Sequence, residues 1–140
     1  MRRVPVRETW IIKLVLDARP KTVLLPIMAS AEQARAVVRA CQYPPHGTRG
    51  VGASATRASR FGSVTEYIPT ADQEICVLLQ VENRAGIDAL DEILAVEGVD
   101  GVFIGPADLS TDMGFKGDSA HPWPLNTPDA CDEEEGGRRV

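Results

Sequence analysis

ICVLLQVE, residues Ile75 to Glu82, is an apolar run of strand length interrupted only at Gln80 and Glu82. A strand in a parallel sheet is covered on both faces, so it reads as a nearly continuous hydrophobic run without alternation. Gln80 and Glu82 stand two positions apart, and their side chains therefore leave the strand on one side. Working outward, TVLLPIM (Thr22 to Met28) and GVFI (Gly101 to Ile104) have the same character, and Met1 to Val6 reads as the stump of a further strand.

Helical patterns separate these runs. Thr9 to Ala18 places Ile11, Leu14, Val15 and Ala18 on one face, and Pro20 stops it. Ser30 with Gln33 forms a capping box ahead of Ala34, Val37, Val38 and Cys41 at helical spacing. Val64 to Asp72 is a weaker helical stretch, interrupted by Pro69. Arg84 to Leu94 is a helix with Ile87, Leu90 and Leu94 inward. Tyr43 to Gly52 is a turn-rich loop, and Gly105 to about Pro128 reads as a second loop. Strand and helix alternate, which predicts parallel strands joined by right-handed crossovers and hence an α/β fold. A doubly wound sheet and part of a (β/α)₈ barrel both satisfy the pattern. A full barrel takes about 250 residues, so this chain supplies about half of one.

Composition bounds the function. The chain has 140 residues, 44% hydrophobic and 25% charged, which suits a globular domain. A net charge of -5, with the basic residues scattered, speaks against a nucleic-acid surface. No run approaches the ~20 apolar residues of a membrane span. Met1 to Lys13 lacks the apolar core of a signal peptide. Cys41, Cys76 and Cys131 are odd in number and far apart, which predicts reduced thiols in a cytoplasmic protein. Residues 1–129 are expected to form the domain and residues 130–140 a disordered tail without an apolar face.

Two carboxylates stand out by position. Glu82 closes one strand and Asp108 lies just past another, in Gly105-Pro106-Ala107-Asp108. The C-terminal ends of parallel strands share one rim, where α/β active sites form. Two carboxylates with open positions suit a hard ion such as Mg²⁺; surface acids at strand ends are common, and that reading stays open. Gln80 is either a site residue or a core amide satisfied by a neighbouring strand. Arg49-Gly50-Val51-Gly52 is either an anion-binding turn or an ordinary one. His46 and His121 sit beside prolines and read as surface residues.

Three longer stretches carry more information: VLLPIMASAEQARAVVRACQYPPHGTRGVGASATRASRF, CVLLQVENRAG and ILAVEGVDGVFIGPADLSTDMGFKG. Together, over about Arg3 to Asp129, the chain resembles the HpcH/HpaI family of class II, metal-dependent pyruvate aldolases. The QVEN and GVDGVFIGPADLS segments are the most specific. The resemblance implies a partial (β/α)₈ barrel of the phosphoenolpyruvate/pyruvate type, about four of eight βα units. It implies reversible cleavage of a 4-hydroxy-2-oxo acid to pyruvate and an aldehyde. Glu82 and Asp108 would hold a divalent metal, Mg²⁺ foremost, with Mn²⁺ or Co²⁺ as alternatives. Gln80, the Ala107 backbone and Asp108 would contact pyruvate. Arg3 falls where the family places the arginine that stabilises the enolate oxygen, and Asp17 where it has an acid tuning a catalytic histidine. That histidine lies, in the family, on a segment before Arg3, and neither His46 nor His121 matches it. Arg19-Pro20 departs from the glycine-containing turn usual there. The resemblance also implies a homo-oligomer in full-length relatives. Two readings follow: an aldehyde-lyase, or a truncated non-catalytic homologue retaining metal or oxo-acid binding.

Overall fold

The computed structural model describes residues 1–116. The tail, His121 and Cys131 lie outside them. Four strands form one sheet in the order β1 (Arg2–Arg3), β2 (Thr22–Leu25), β3 (Cys76–Val81) and β4 (Gly101–Ile104). All neighbours are parallel. Between them run α1 (Thr9–Asp17), α2 (Ala31–Cys41), α3 (Tyr67–Glu74), α4 (Arg84–Asp88) and α5 (Leu90–Leu94), with α6 (Pro106–Asp112) after β4. The expected α/β order is present.

Register assigns the two faces of the sheet. Arg3, Leu24, Leu78 and Gly101 lie in one row, and Gln80 pairs with Phe103 one layer nearer the C-terminal rim. The other face carries Val23, Leu25, Val77, Leu79 and Val81, all buried. Against it pack Ile12 and Leu16 of α1, Ala34, Val37, Val38 and Cys41 of α2, and Ile93 of α5. Each fully buried Leu, Ile or Val contributes roughly 1.5–3 kcal/mol, so this helix-covered face holds the sheet together.

Several local expectations are corrected. The strand from Thr22 ends at Leu25 and not Met28, because Pro26 follows and Ile27 takes φ 56°. In α1 the buried stripe is Ile12 and Leu16; Ile11 and Val15 are partly buried, whereas Leu14 and Ala18 are exposed. The expected helix 84–94 is two short helices that meet at Ala89. Ile93 is fully buried, Ile87 and Leu90 are partly buried, and Leu94 faces outward. Pro69 does not interrupt α3: it stands in the first turn, where a backbone N–H has no helical acceptor to lose. The second expected loop contains α6, with Pro106 at its start. Cys76 is partly buried, and Cys41 is fully so. Among the described residues, no helix is long and apolar enough to cross a membrane.

Candidate functional site

Parallel strands bring the ends of β1, β3 and β4 to one rim. Gln80 is buried, and its amide oxygen accepts a hydrogen bond from Arg3 Nε at 3.0 Å. Its backbone carbonyl accepts from Met28 N–H at 2.9 Å, which seats the β2 exit on β3. Glu82 follows β3 and is also buried, yet among the described residues Oε2 finds no hydrogen-bond donor. Burial raises the pKa of Glu82; the negative charge of Asp108 raises it further, while Arg3 and the Ile27 backbone N–H act in the opposite direction. Asp108 itself is exposed, in the first turn of α6.

Gly105 makes the approach possible. A Cβ there would stand 3.0 Å from Glu82 Cβ, 3.2 Å from Gln80 Nε2 and 3.3 Å from Glu82 Oε2. Any side chain would therefore crowd both polar groups. Asn83 then starts α4, its Oδ1 accepting from Gly86 N–H at 2.8 Å, and Arg84 N–H donates to Asp112 Oδ2 at 2.8 Å, tying α4 to α6. Ala107 is exposed at the second position of α6, where the helix offers its N–H no acceptor. Its carbonyl accepts from the hydroxyls of Ser110 and Thr111.

The rim residues fit a divalent cation. Glu82 supplies a buried oxygen without a donor, and Asp108 supplies a second carboxylate beside it. Among the described residues no cluster of three His, Cys, Asp or Glu side chains exists. A cation held here would complete its shell with water or substrate oxygens, as Mg²⁺ commonly does.

Asp17 does not join this group. It ends α1, which runs back against the strands, so it lies at the opposite rim. Its partners are Lys13 Nζ at 2.5 Å and Arg49 Nη2 at 3.3 Å. Arg49 is fully buried, donates to Tyr67 Oη at 3.2 Å and lies 4.4 Å from the Tyr43 ring centroid. The Arg49–Gly52 turn is thus anchored by a side chain directed into the protein. No sequence signal marks this cluster, because an arginine in a glycine-bearing loop reads as solvent-exposed. His46 is exposed after α2, beside Arg35, Arg39 and Glu97.

The parallel sheet with carboxylates at its C-terminal rim defines part of a TIM-type α/β barrel of the aldolase and lyase kind. The chain belongs to the HpcH/HpaI aldolase/citrate lyase family, whose model matches residues 1–128. It is 59% identical over 120 residues to a hydroxypyruvate/pyruvate aldolase of Roseobacter denitrificans, covering 86% of this chain and 47% of that one. It is 54% identical to a 2-keto-3-deoxy-L-rhamnonate aldolase of Klebsiella pneumoniae, covering 80% and 42% respectively. A solved HpcH/HpaI aldolase/citrate lyase family protein of Burkholderia cenocepacia superposes with a TM-score of 0.82 at 39% identity, over 91% of this chain and 49% of that one. The chain spans about half the length of these relatives.

Proposed function

We propose that the chain carries the metal- and oxo-acid-binding portion of an aldehyde-lyase that cleaves a 4-hydroxy-2-oxo acid reversibly to pyruvate and an aldehyde. The observation that carries this reading is the donorless, buried Glu82 Oε2 beside Asp108, on the same rim as the Arg3–Gln80 pair. The aldolase names of the relatives point to the same chemistry.

Glu82 and Asp108 would hold the ion, Mg²⁺, Mn²⁺ or Co²⁺, since oxygen ligands serve all three. When bound, a divalent ion supplies Lewis acidity toward the oxygens of a 2-oxo acid. Arg3 contributes a fixed positive charge near the position where negative charge develops, which is most effective when preorganised. Gln80 Oε1 holds that guanidinium, leaving the Nε2 hydrogens to donate to substrate oxygen. The free Ala107 N–H is placed to receive the substrate carboxylate. Asp17 pairs with Lys13 and Arg49, and its role beside a catalytic histidine stays what the family resemblance implies. The proton acceptor for the alcohol is to be sought outside the described residues.

A second reading, metal or oxo-acid binding without turnover, is favoured by one observation: His46 stands apart from the rim residues. General acid–base catalysis commonly contributes 10²–10⁴-fold, so a chain without its base would turn over feebly. Calorimetry with Mn²⁺, followed by coupled pyruvate release from a hydroxy-oxo diacid, separates the cases. We expect one Mn²⁺ site, lost in Glu82→Gln and Asp108→Ala. Chelator-sensitive pyruvate release would establish the lyase, and binding without release would establish the second reading. Undiminished Mn²⁺ binding in both variants would refute both.

A further inference from the structure

Helix α2 and the loop between α5 and β4 enclose a cleft of about 470 Å³. Its floor is apolar, formed by buried Val38 and Val96. Arg35 and Arg39 line it from α2, and Glu97 lines it from the loop. The two arginines stand one helical turn apart and so share a face of α2. Arg39 lies in the last turn of α2, which runs back against the strands, and Glu97 precedes the start of β4 at Gly101. The cleft is therefore at the end of the sheet away from Glu82 and Asp108.

The close approach of loop and helix is specified by sequence. Gly98 takes φ 89°, and a Cβ there would stand 2.7 Å from Val38 Cγ1. Only glycine combines that backbone with that contact. The charge of the cleft is open as well. Among the described residues neither the Arg35 nor the Arg39 guanidinium has a hydrogen-bond or ion-pair partner, although Glu97 lines the same space and the chain carries a net charge of -5. The negative end of α2 does not cancel them: the Arg39 carbonyl accepts from the backbone N–H groups of Gln42 and Thr48 and from the Thr48 hydroxyl.

We propose that this cleft binds the phosphate monoester group of a small hydroxylated metabolite. Guanidinium groups bind phosphate oxygens in pairs, and two of them on one helix face match a dianion. Val38 and Val96 offer a surface for the carbon skeleton. Glu97 accepts a hydrogen bond from a ligand hydroxyl and repels a second anionic group, which disfavours polycarboxylates. The volume falls in the range of small-molecule sites, about 300–1,000 Å³. Binding here needs no metal and is independent of the proposed lyase chemistry.

Calorimetry with glycerol phosphate on the full, chelator-treated chain tests the site. We expect one site with a Kd of roughly 1 mM or tighter. Arg35→Gln and Arg39→Gln should each weaken it about tenfold, the scale of losing one charge-assisted contact. Both side chains are exposed, so the variants should keep the wild-type circular dichroism and melting temperature. Arg57→Gln, an exposed arginine on another element, should leave affinity unchanged. Glu97→Gln should narrow the preference for glycerol phosphate over inorganic phosphate. Absence of binding at about ten times that concentration would overturn the proposal. Equal weakening in Arg57→Gln would overturn it by showing attraction to charge in general. Loss in Arg3→Ala but not in Arg35→Gln would also overturn it, by assigning the phosphate to the rim.

Discussion

Arg3 Nε donates to Gln80 Oε1 at 3.0 Å, joining β1 to β3 across the intervening strand β2. The two long side chains share a span of two strand spacings of about 4.8 Å each. Arg3→Ala leaves a buried amide oxygen without its donor. The expected cost is about 1–2 kcal/mol in urea unfolding, together with weaker binding of oxalate as a pyruvate analogue. Unchanged stability and oxalate affinity would show that the pair does not organise the rim.

Glu82 gives a pH-dependent expectation for the metal-free chain. Burial, then the Asp108 charge, raises its pKa above the ordinary 4.5. Folding therefore disfavours the charged form. The penalty is fully present above the folded pKa and fades as pH falls toward 4.5. Glu82→Gln should stabilise the chelator-treated protein at pH 7.5, by about 0.5–2 kcal/mol if it falls in the range common to single stabilising substitutions. That gain should shrink on acidification toward pH 4.5. Thermal melts across this range decide the matter; a gain independent of pH would assign the effect to packing.

Arg49 is the most demanding side chain in the fold. It is fully buried, and among the described residues Nε and Nη1 have no hydrogen-bond partner, so its charge rests on Asp17 and on the faces of Tyr43 and Tyr67. Arg49→Ala should cost roughly 3 kcal/mol, the lower end for breaking a buried pair, because Asp17 retains Lys13. Arg49→Lys should recover little, since an ammonium cannot lie flat against a ring while reaching a carboxylate. A urea midpoint for the lysine variant equal to wild type would contradict this.

The thiols should separate by reactivity. Burial pushes Cys41 up to about 12, with Arg49 opposing only in part. The thiolate is the reactive form, so a disulfide reagent at pH 8 should modify partly buried Cys76 well before Cys41. Peptide mapping by mass spectrometry reads the order, and equal rates would mean that the α2 face opens readily.

The apolar strands β2 and β3 were legible because burial on both faces leaves a nearly unbroken hydrophobic run, and β4 because Val102, Phe103 and Ile104 are apolar although Phe103 is half exposed. Gln80 and Glu82 were legible because a two-residue period puts both on one side. The end of β2 was not, since nothing local announces the positive φ of Ile27. Helix α6 did carry a signal, a proline at the first position with an acidic residue in the first turn, but glycine and proline together suggested a turn. The outward Leu94 and the break at Ala89 depend on Ile93 filling the core, which is a tertiary preference. Arg49 is the sharpest case: its burial is set by Tyr43 nearby and by Asp17 and Tyr67, which stand 32 and 18 positions from it.

The register of the sheet also fixes an order of events during folding. Leu25 pairs with Leu79, 54 positions away, whereas Leu78 pairs with Gly101 only 23 positions away. Closing the longer loop costs about 0.8 kcal/mol more entropy. The chain thus consists of two locally closed pairs, β1–β2 and β3–β4, linked by the long excursion through α2, the Arg49 loop and α3. Pulse-labelled amides of β4 should become protected before the β2–β3 seam zips. The seam is then the last part of the sheet to form, and the buried Arg49 cluster beside it is the latch that holds the excursion down.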